Sequence, residues 1–454
     1  MSIVMKFGGT SVADAGAFEN VANIVAAERE ASPVVVVSAM SGVTDCLLGA
    51  TNKAGDGDAA EAISSLADLC SRHNAVASEF LSKTEAEKFA KHLQNTAAQI
   101  AELLRTYERD PSQRKAFQDE VVSFGERLSS GLLAEVLKQR GLRARQVDAR
   151  RCIITNEDYT CAAPLMQQTF SHTQNELRPV IESGVVPVLG GFIAAATNGA
   201  TTTLGRGGSD YTAALIGAAL GVDEIQIWTD VTGVLTADPR VVPEAQTIER
   251  LSYSEAAELA YFGAKVLHPK TIQPAIEHGI PVRICNSRAP HENGTLVGPE
   301  TETSPRTVKA IAHKTGVTTV QITSARMLGA YGFLRALFEV FDQHRTVVDV
   351  VTTSEVSVSL SLDDASSLPS IVEELELLGT VRVEKGRAII CVVGEGLRGM
   401  PGIAAKVFST ISDINVTLIS QGASSINFTF AIEEERVNEA VKRLHEAFFG
   451  QKNR

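Results

Sequence analysis

The chain has no surplus of positive charge. Its 454 residues carry 42 Lys and Arg against 54 Asp and Glu, a formal net charge of −12. That balance argues against a nucleic-acid partner, which would need a basic surface. No apolar run is long enough to span a bilayer. No charged segment followed by an apolar stretch precedes the first strand-like run, because Met1-Ser2-Ile3 leads straight into it, so neither a membrane anchor nor a secretory signal is expected. The six cysteines (46, 70, 152, 161, 285 and 391) form no C-x-x-C pair and have no histidine at ligand spacing. Structural zinc is thereby excluded, and the thiols read as reduced, mostly small core residues of a cytoplasmic protein. The Walker spacing G-x-x-x-x-G-K-[ST] is missing. Gly394-Glu395-Gly396-Leu397-Arg398-Gly399 matches G-x-G-x-x-G, but Pro401 follows at once. No suitable acidic residue lies about twenty positions on, so the match is discounted as a dinucleotide site.

What the chain does have is glycine in two telling places. Thr202-Thr203-Leu204-Gly205-Arg206-Gly207-Gly208-Ser209-Asp210-Tyr211-Thr212 puts three glycines within four residues, ahead of an alanine-rich helix pattern from Ala213 to Leu220. Such a turn lets backbone approach a ligand and aims N–H groups at an anion, and the helix N-terminus adds partial positive charge. Arg206 supplies a forked donor suited to a carboxylate. Ile3-Val4-Met5-Lys6-Phe7-Gly8-Gly9-Thr10-Ser11 reads as a buried strand running into a Gly-Gly turn, with Thr10 or Ser11 as candidate cap of the next helix. Lys6 is well placed there to hold nucleotide phosphates.

Further strand patterns lie at Val34–Val37, Val185–Phe192, Glu224–Asp230 and Ile280–Ile284, and several helices are expected between about residues 58 and 140. Strand and helix alternating in this way predict a mostly parallel α/β sheet with helices on both faces, whose ligands bind at the carboxyl ends of the strands. Every polar cluster above falls at such an end. From Glu300 to Pro305 the chain reads as a linker, and beyond it a repeat appears at an offset of seventy residues. Gly332 to Phe341 matches Gly402 to Ile411, and Val350–Glu355 matches Ser420–Ser425. Each copy reads strand, helix, strand, turn, strand.

Lys6-Phe7-Gly8-Gly9-Thr10-Ser11, Thr203–Asp210 and Phe262-Gly263-Ala264-Lys265-Val266-Leu267-His268-Pro269 together resemble the aspartate kinases of the amino acid kinase superfamily. The repeat resembles that family's paired ACT domains, and Val351–Val358 is most similar to the single-function, lysine-sensitive class. The resemblance covers nearly the whole chain. It implies a three-layer αβα catalytic domain over residues 1–300 and ferredoxin-like ACT units over 301–385 and 386–454. It also implies phosphoryl transfer from ATP, with Mg2+, to the side-chain carboxylate of L-aspartate. Lys6 and Asp210 would be catalytic, Asp210 orienting Lys6 or holding magnesium, with no dedicated protein metal site. Thr44, Glu126, Arg206 and Ser209 would bind aspartate, Arg206 at the α-carboxylate and Glu126 at the α-amine. ATP would meet Lys6, the amides of Gly8, Gly9 and Gly208, and Thr229, Asp230, Leu235, Arg240 and Lys265. Leu235 stands where an aromatic residue is expected. His268 is assigned a structural role.

The resemblance further implies L-lysine as allosteric inhibitor at Met327, Phe333, Leu334, Asp349, Ser354 and Glu355, with Ala330 in place of an expected serine. ACT pairing implies a homodimer or homotetramer. Two alternatives stay open: a superfamily kinase for another acceptor, and a catalytically silent amino-acid sensor.

Overall fold

The computed structural model describes residues 2–263, 267, 269–299, 308–329 and 331–450. The Glu300–Pro305 linker, Lys265, His268 and Ala330 lie outside the described residues. The chain divides into two compact units that interleave in sequence. The first comprises residues 1–234, 249–253 and 266–300, the second 235–248, 254–265 and 301–454.

The first unit is α/β. Its strands are β1 (Ile3–Phe7), β2 (Val34–Val37), β3 (Ala144–Val147), β4 (Ile154–Thr155), β5 (Val186–Gly190), β6 (Ile193–Ala196), β7 (Thr201–Thr203), β8 (Glu224–Thr229), β9 (Arg250–Ser252), β10 (Val282–Asn286) and β11 (Thr295–Gly298). Eight form one sheet in the order β3-β5-β2-β1-β8-β10-β11-β9, and β4, β6 and β7 form a small second sheet. From β3 to β10 every neighbour is parallel. Such strands are covered on both faces and favour β-branched residues, and β2 is four buried valines.

Lys6 is the one charged residue in central β1, in register with Val36 of β2 and Ile227 of β8. The strand order turns back at β1, whose neighbours lead away to opposite edges, and the crevice at such a point is where open α/β sheets take ligands. Helices Val43–Asp56, Ala59–Ser64, Leu66–Phe80, Lys83–Thr106 and Arg114–Gln139 fill the region expected to be helical. The helix after β1 starts differently from the sequence expectation. Residues Gly9–Val12 form a short 3-10 turn, and Asp14 caps Ala15–Ala27 by accepting from the Ala17 amide at 2.9 Å. Ser11 instead turns inward to the Ser287 hydroxyl, 2.8 Å away. Among the cysteines, Cys152, Cys285 and Cys391 are buried, Cys46 and Cys70 half-buried and Cys161 exposed, so only half are true core residues.

The second unit holds a six-stranded sheet of β12 (Ala310–Thr323), β13 (Val351–Thr353), β14 (Ser357–Leu362), β15 (Thr380–Val393), β16 (Val416–Gln421) and β17 (Asn427–Glu433), in the order β13-β14-β12-β15-β17-β16. The seventy-residue repeat maps β12 onto β15. These two fourteen-residue strands run antiparallel, Ala310 facing Val393 and Thr323 facing Thr380, with register shifts near Val317. The C-terminal half of β12 pairs with β14, and the C-terminal half of β15 pairs with β17. Each copy therefore takes its last strand from the other copy's long strand. Residue 385 falls inside β15, and the second copy is completed by residues 310–314, which precede the first. Two apolar cores underlie the sheet, one per copy: Val320, Ile322, Leu337, Phe341 and Ile371 in the first, Ile390, Val407, Phe428, Phe430 and Leu444 in the second. No helix among the described residues is long and apolar enough to cross a membrane.

Candidate active site

The carboxyl ends of β1, β2, β5 and β8 open into a cleft of about 570 Å³. It gathers Lys6, Gly8, Gly9, Thr44, Glu126, Arg206, Gly208, Ser209, Asp210, Thr229 and Asp230, residues up to 224 positions apart in sequence. Lys6 Nζ is 2.7 Å from Asp210 Oδ1, and both side chains are largely buried at 11% and 16% exposure. Helix Gly208–Leu220 presents Ser209 and Asp210 in its first turn, and Ser38 Oγ donates to Ser209 Oγ at 2.9 Å.

The glycine turns work by close approach. Gly207 caps the helix with φ +73°, a left-handed conformation that favours glycine. A Cβ on Gly191 would sit 2.7 Å from Ser209 Cβ and 2.8 Å from its Cα. Gly191→Ala must therefore push the helix start away from the strand end, and is expected to cost about 1–3 kcal/mol, read as a lowered melting temperature.

Two of the amides expected to face phosphates are already engaged. The Gly8 N–H donates to Trp228 O at 3.1 Å, and the Gly208 N–H closes its own turn onto Gly205 O at 3.0 Å. The amides of Gly9, Ser209 and Asp210 have no partner among the described residues and are free to donate. Arg206 is exposed at the cleft wall, and Thr44 is half-buried in the first turn of Val43–Asp56. Leu235 and Arg240 belong to the second unit. There Arg240 is 87% exposed and pairs with Asp238 at 2.6 Å, within the Asp-Pro-Arg turn.

Glu126 is the electrostatic anomaly of the cleft. Helix Arg114–Gln139 buries it to 3% exposure. Oε1 accepts from the Ala39 amide at 3.2 Å, whereas buried Oε2 has no hydrogen-bond partner among the described residues. Burial pushes its carboxyl up to about 8, with the Ala39 hydrogen bond opposing. A lone buried carboxylate oxygen is costly, and an arriving ammonium would satisfy it.

One cleft residue and one cation behind the cleft wall carry no sequence signal. Phe192 lines the cleft with φ +69°, rare for an aromatic residue, and its amide is held by Thr212 Oγ1 at 3.0 Å. Arg72, on helix Leu66–Phe80, donates to Ser41 O at 2.7 Å and Ala13 O at 3.1 Å, tying the cleft-lining loop after β2 to the chain ahead of helix Ala15–Ala27. Among the described residues no three His, Cys, Asp or Glu side chains gather to cage a metal. Asp210 is committed to Lys6, so the donors fit magnesium only as an ion carried on substrate phosphates.

In the second unit, Met327 ends a 3-10 turn, Phe333 and Leu334 open helix Phe333–Gln343, and Ser354 and Glu355 form the β13–β14 turn. Glu355 is exposed. Asp349 is not a solvated loop acid, because its side chain is turned inward towards Tyr261 and Lys314.

A parallel sheet with a buried lysine–aspartate pair, helix-start amides and a buried carboxylate oxygen that lack partners among the described residues is the arrangement of an α/β enzyme of the phosphoryl-transfer type. Residues 1–286 match the amino acid kinase family and residues 390–448 an ACT domain. Lysine-sensitive aspartokinase 3 of Escherichia coli is 36% identical over 98% of this chain and 99% of its own length. Escherichia coli aspartokinase III in complex with aspartate and ADP (R-state) superposes with a TM-score of 0.81 at 36% identity, covering 99% of this chain and 100% of that one. Its complex with lysine and aspartate (T-state) gives the same TM-score and identity, covering 99% of each chain. The chain belongs to the amino acid kinase family, in its aspartokinase branch.

Proposed function

We propose that the chain transfers the γ-phosphoryl group of MgATP to the β-carboxylate of L-aspartate, giving 4-phospho-L-aspartate, and that L-lysine inhibits it. The observation that carries the reading is the buried Oε2 of Glu126, without a hydrogen-bond partner among the described residues, in the same cleft as the Lys6–Asp210 pair. One end of the cleft then wants an ammonium and the other wants phosphate oxygens.

The acceptor carboxylate is already ionised at neutral pH, so no strong base is required. Catalysis rests on holding two anions in line and neutralising charge on the transferring group. Lys6 would meet that charge, with Asp210 fixing its position. The amides of Gly9, Ser209 and Asp210 would add donors around the phosphates. Glu126 would take the α-amine of aspartate and Arg206 its α-carboxylate, with Thr44 and Ser209 alongside. Thr229, Asp230, Arg240 and Lys265 are assigned to the nucleotide, with Leu235 in apolar contact. Residues 1–300 are assigned as the catalytic domain. Met327, Phe333, Leu334, Asp349, Ser354 and Glu355 are assigned to the effector, and the ACT repeats to pairing between copies.

The test is ATP-dependent hydroxamate formation with L-aspartate and hydroxylamine, with and without L-lysine. Product that requires aspartate and falls with lysine is expected. No hydroxamate would sink the kinase reading; inhibition by threonine but not lysine at millimolar concentration would sink the effector assignment.

A further inference from the structure

Asp349 lies just before edge strand β13, yet its side chain is only 4% exposed. One carboxylate oxygen accepts from the Tyr261 hydroxyl. The other, Oδ2, has no hydrogen-bond partner among the described residues and faces Lys314 Nζ at 3.8 Å, an ion-pair distance only. Lys314, on β12, hydrogen-bonds Asp363, and its ammonium stands 4.9 Å from the centre of the Tyr261 ring. Burial pushes the Asp349 carboxyl up to about 6; the neighbouring Asp363 adds to this, while Tyr261 and Lys314 oppose it. Glu258, on the same helix as Tyr261, contributes further negative field at the phenol. Two carboxylates and an aromatic face converge on a single ammonium, and one buried oxygen among them remains unsatisfied.

We infer that Asp349, Asp363 and the face of Tyr261 form an ammonium pocket that the protein's own Lys314 fills in the absence of effector, and that an amino-acid effector enters by displacing it. The inference rests on the effector reading above and deepens it by adding Asp363, Tyr261 and Lys314 to that site. A primary ammonium on an aliphatic stem is what Lys314 already places there, and free lysine carries the same group. An ammonium brings three donors, enough to reach both carboxylates. An aromatic face adds attraction for a cation. Tyr261 closes helix Tyr253–Tyr261 immediately before Phe262 and Gly263.

The experiment titrates L-lysine against aspartate-dependent hydroxamate formation by the full-length wild type, Lys314→Met and Asp363→Asn, with melting temperatures to verify folding. Loss of the internal competitor should lower the half-inhibiting lysine concentration of Lys314→Met by roughly fivefold. Asp363→Asn should raise it by roughly threefold or more. L-Norleucine, which lacks the side-chain ammonium, should inhibit none of the three. Wild type inhibited by lysine with Lys314→Met unchanged or less sensitive overturns the self-filled pocket and leaves the effector reading standing. Wild type indifferent to lysine overturns both. Should Lys314→Met fail to fold, an unchanged Asp363→Asn decides against the pocket on its own.

Discussion

Lys6→Met is expected to lower the kcat of phosphoryl transfer by roughly 10²–10³-fold or more, with a smaller change in the KM for aspartate. Methionine keeps the aliphatic stem in β1 between Val36 and Ile227. The substitution therefore removes the ammonium and little packing. The lysine sits at the strand end where the turning strand order opens the crevice, and its charge acts most on oxygens that gain charge during transfer. Asp210 loses its partner at the same time. A largely buried carboxylate without a cation is costly, so some loss of thermal stability should accompany the loss of turnover. Asp210→Asn separates the two effects: it keeps the ammonium but unfastens it, and a kcat loss distinctly smaller than that of Lys6→Met is expected. Hydroxamate assays with both variants check this, and full activity in Lys6→Met would remove the lysine from the mechanism.

The second large effect is at Glu126. Glu126→Gln keeps the shape and loses the charge, so aspartate should bind roughly 10²-fold less tightly, seen in KM with kcat less affected. The wild type should also show a pH signature that the variant lacks. With its carboxyl raised to about 8, Glu126 is protonated below that pH, while the aspartate ammonium needs the anion. Aspartate affinity should therefore strengthen about tenfold per unit as pH rises towards 8 and then level off. The same shift has a sign for stability. A carboxyl raised in the folded state binds more protons there than in the unfolded chain, so this group's contribution to stability declines as pH rises from about 4.5 to about 8. Glu126→Gln should flatten that decline in melting curves recorded across the range. A pH-independent aspartate KM in the wild type would contradict the assignment.

The parts of the site written in local backbone needs were legible in sequence. Lys6 before Gly8-Gly9, and Gly205 to Gly208 before Ser209, announce tight turns at strand ends because few other residues can make them. What the turns do with their hydrogen bonds was not legible. Gly8 spends its amide on Trp228, 220 residues away, and that pairing exists only once β1 and β8 are neighbours. Glu126 looks like an ordinary helix acid until Gly190 and Ala39 are seen pressed against its helix. Nor does sequence show that Asp238 holds the Arg240 guanidinium within their shared turn. The cluster at Asp349 draws on Tyr261, Lys314 and Asp363, up to 102 positions apart, which no spacing rule anticipates. The repeat itself was visible as an offset, but an offset aligns two copies without saying which copy a strand serves.

The exchange of last strands between β12 and β15 limits how the regulatory half of the chain can come into being. During synthesis, residues 310–314 emerge long before their sheet neighbours at 389–393. The second copy thus cannot close until its own strands have been made, and the first must wait for β15. Contacts of such sequence separation slow folding. Cutting the gene between the copies would leave each with an open edge, a form prone to pairing with other chains. The two repeats therefore fold and fail together, and a functional transplant of this sensor onto another enzyme would have to carry both copies as one piece, together with the 235–248 and 254–265 segments that pack in the same unit.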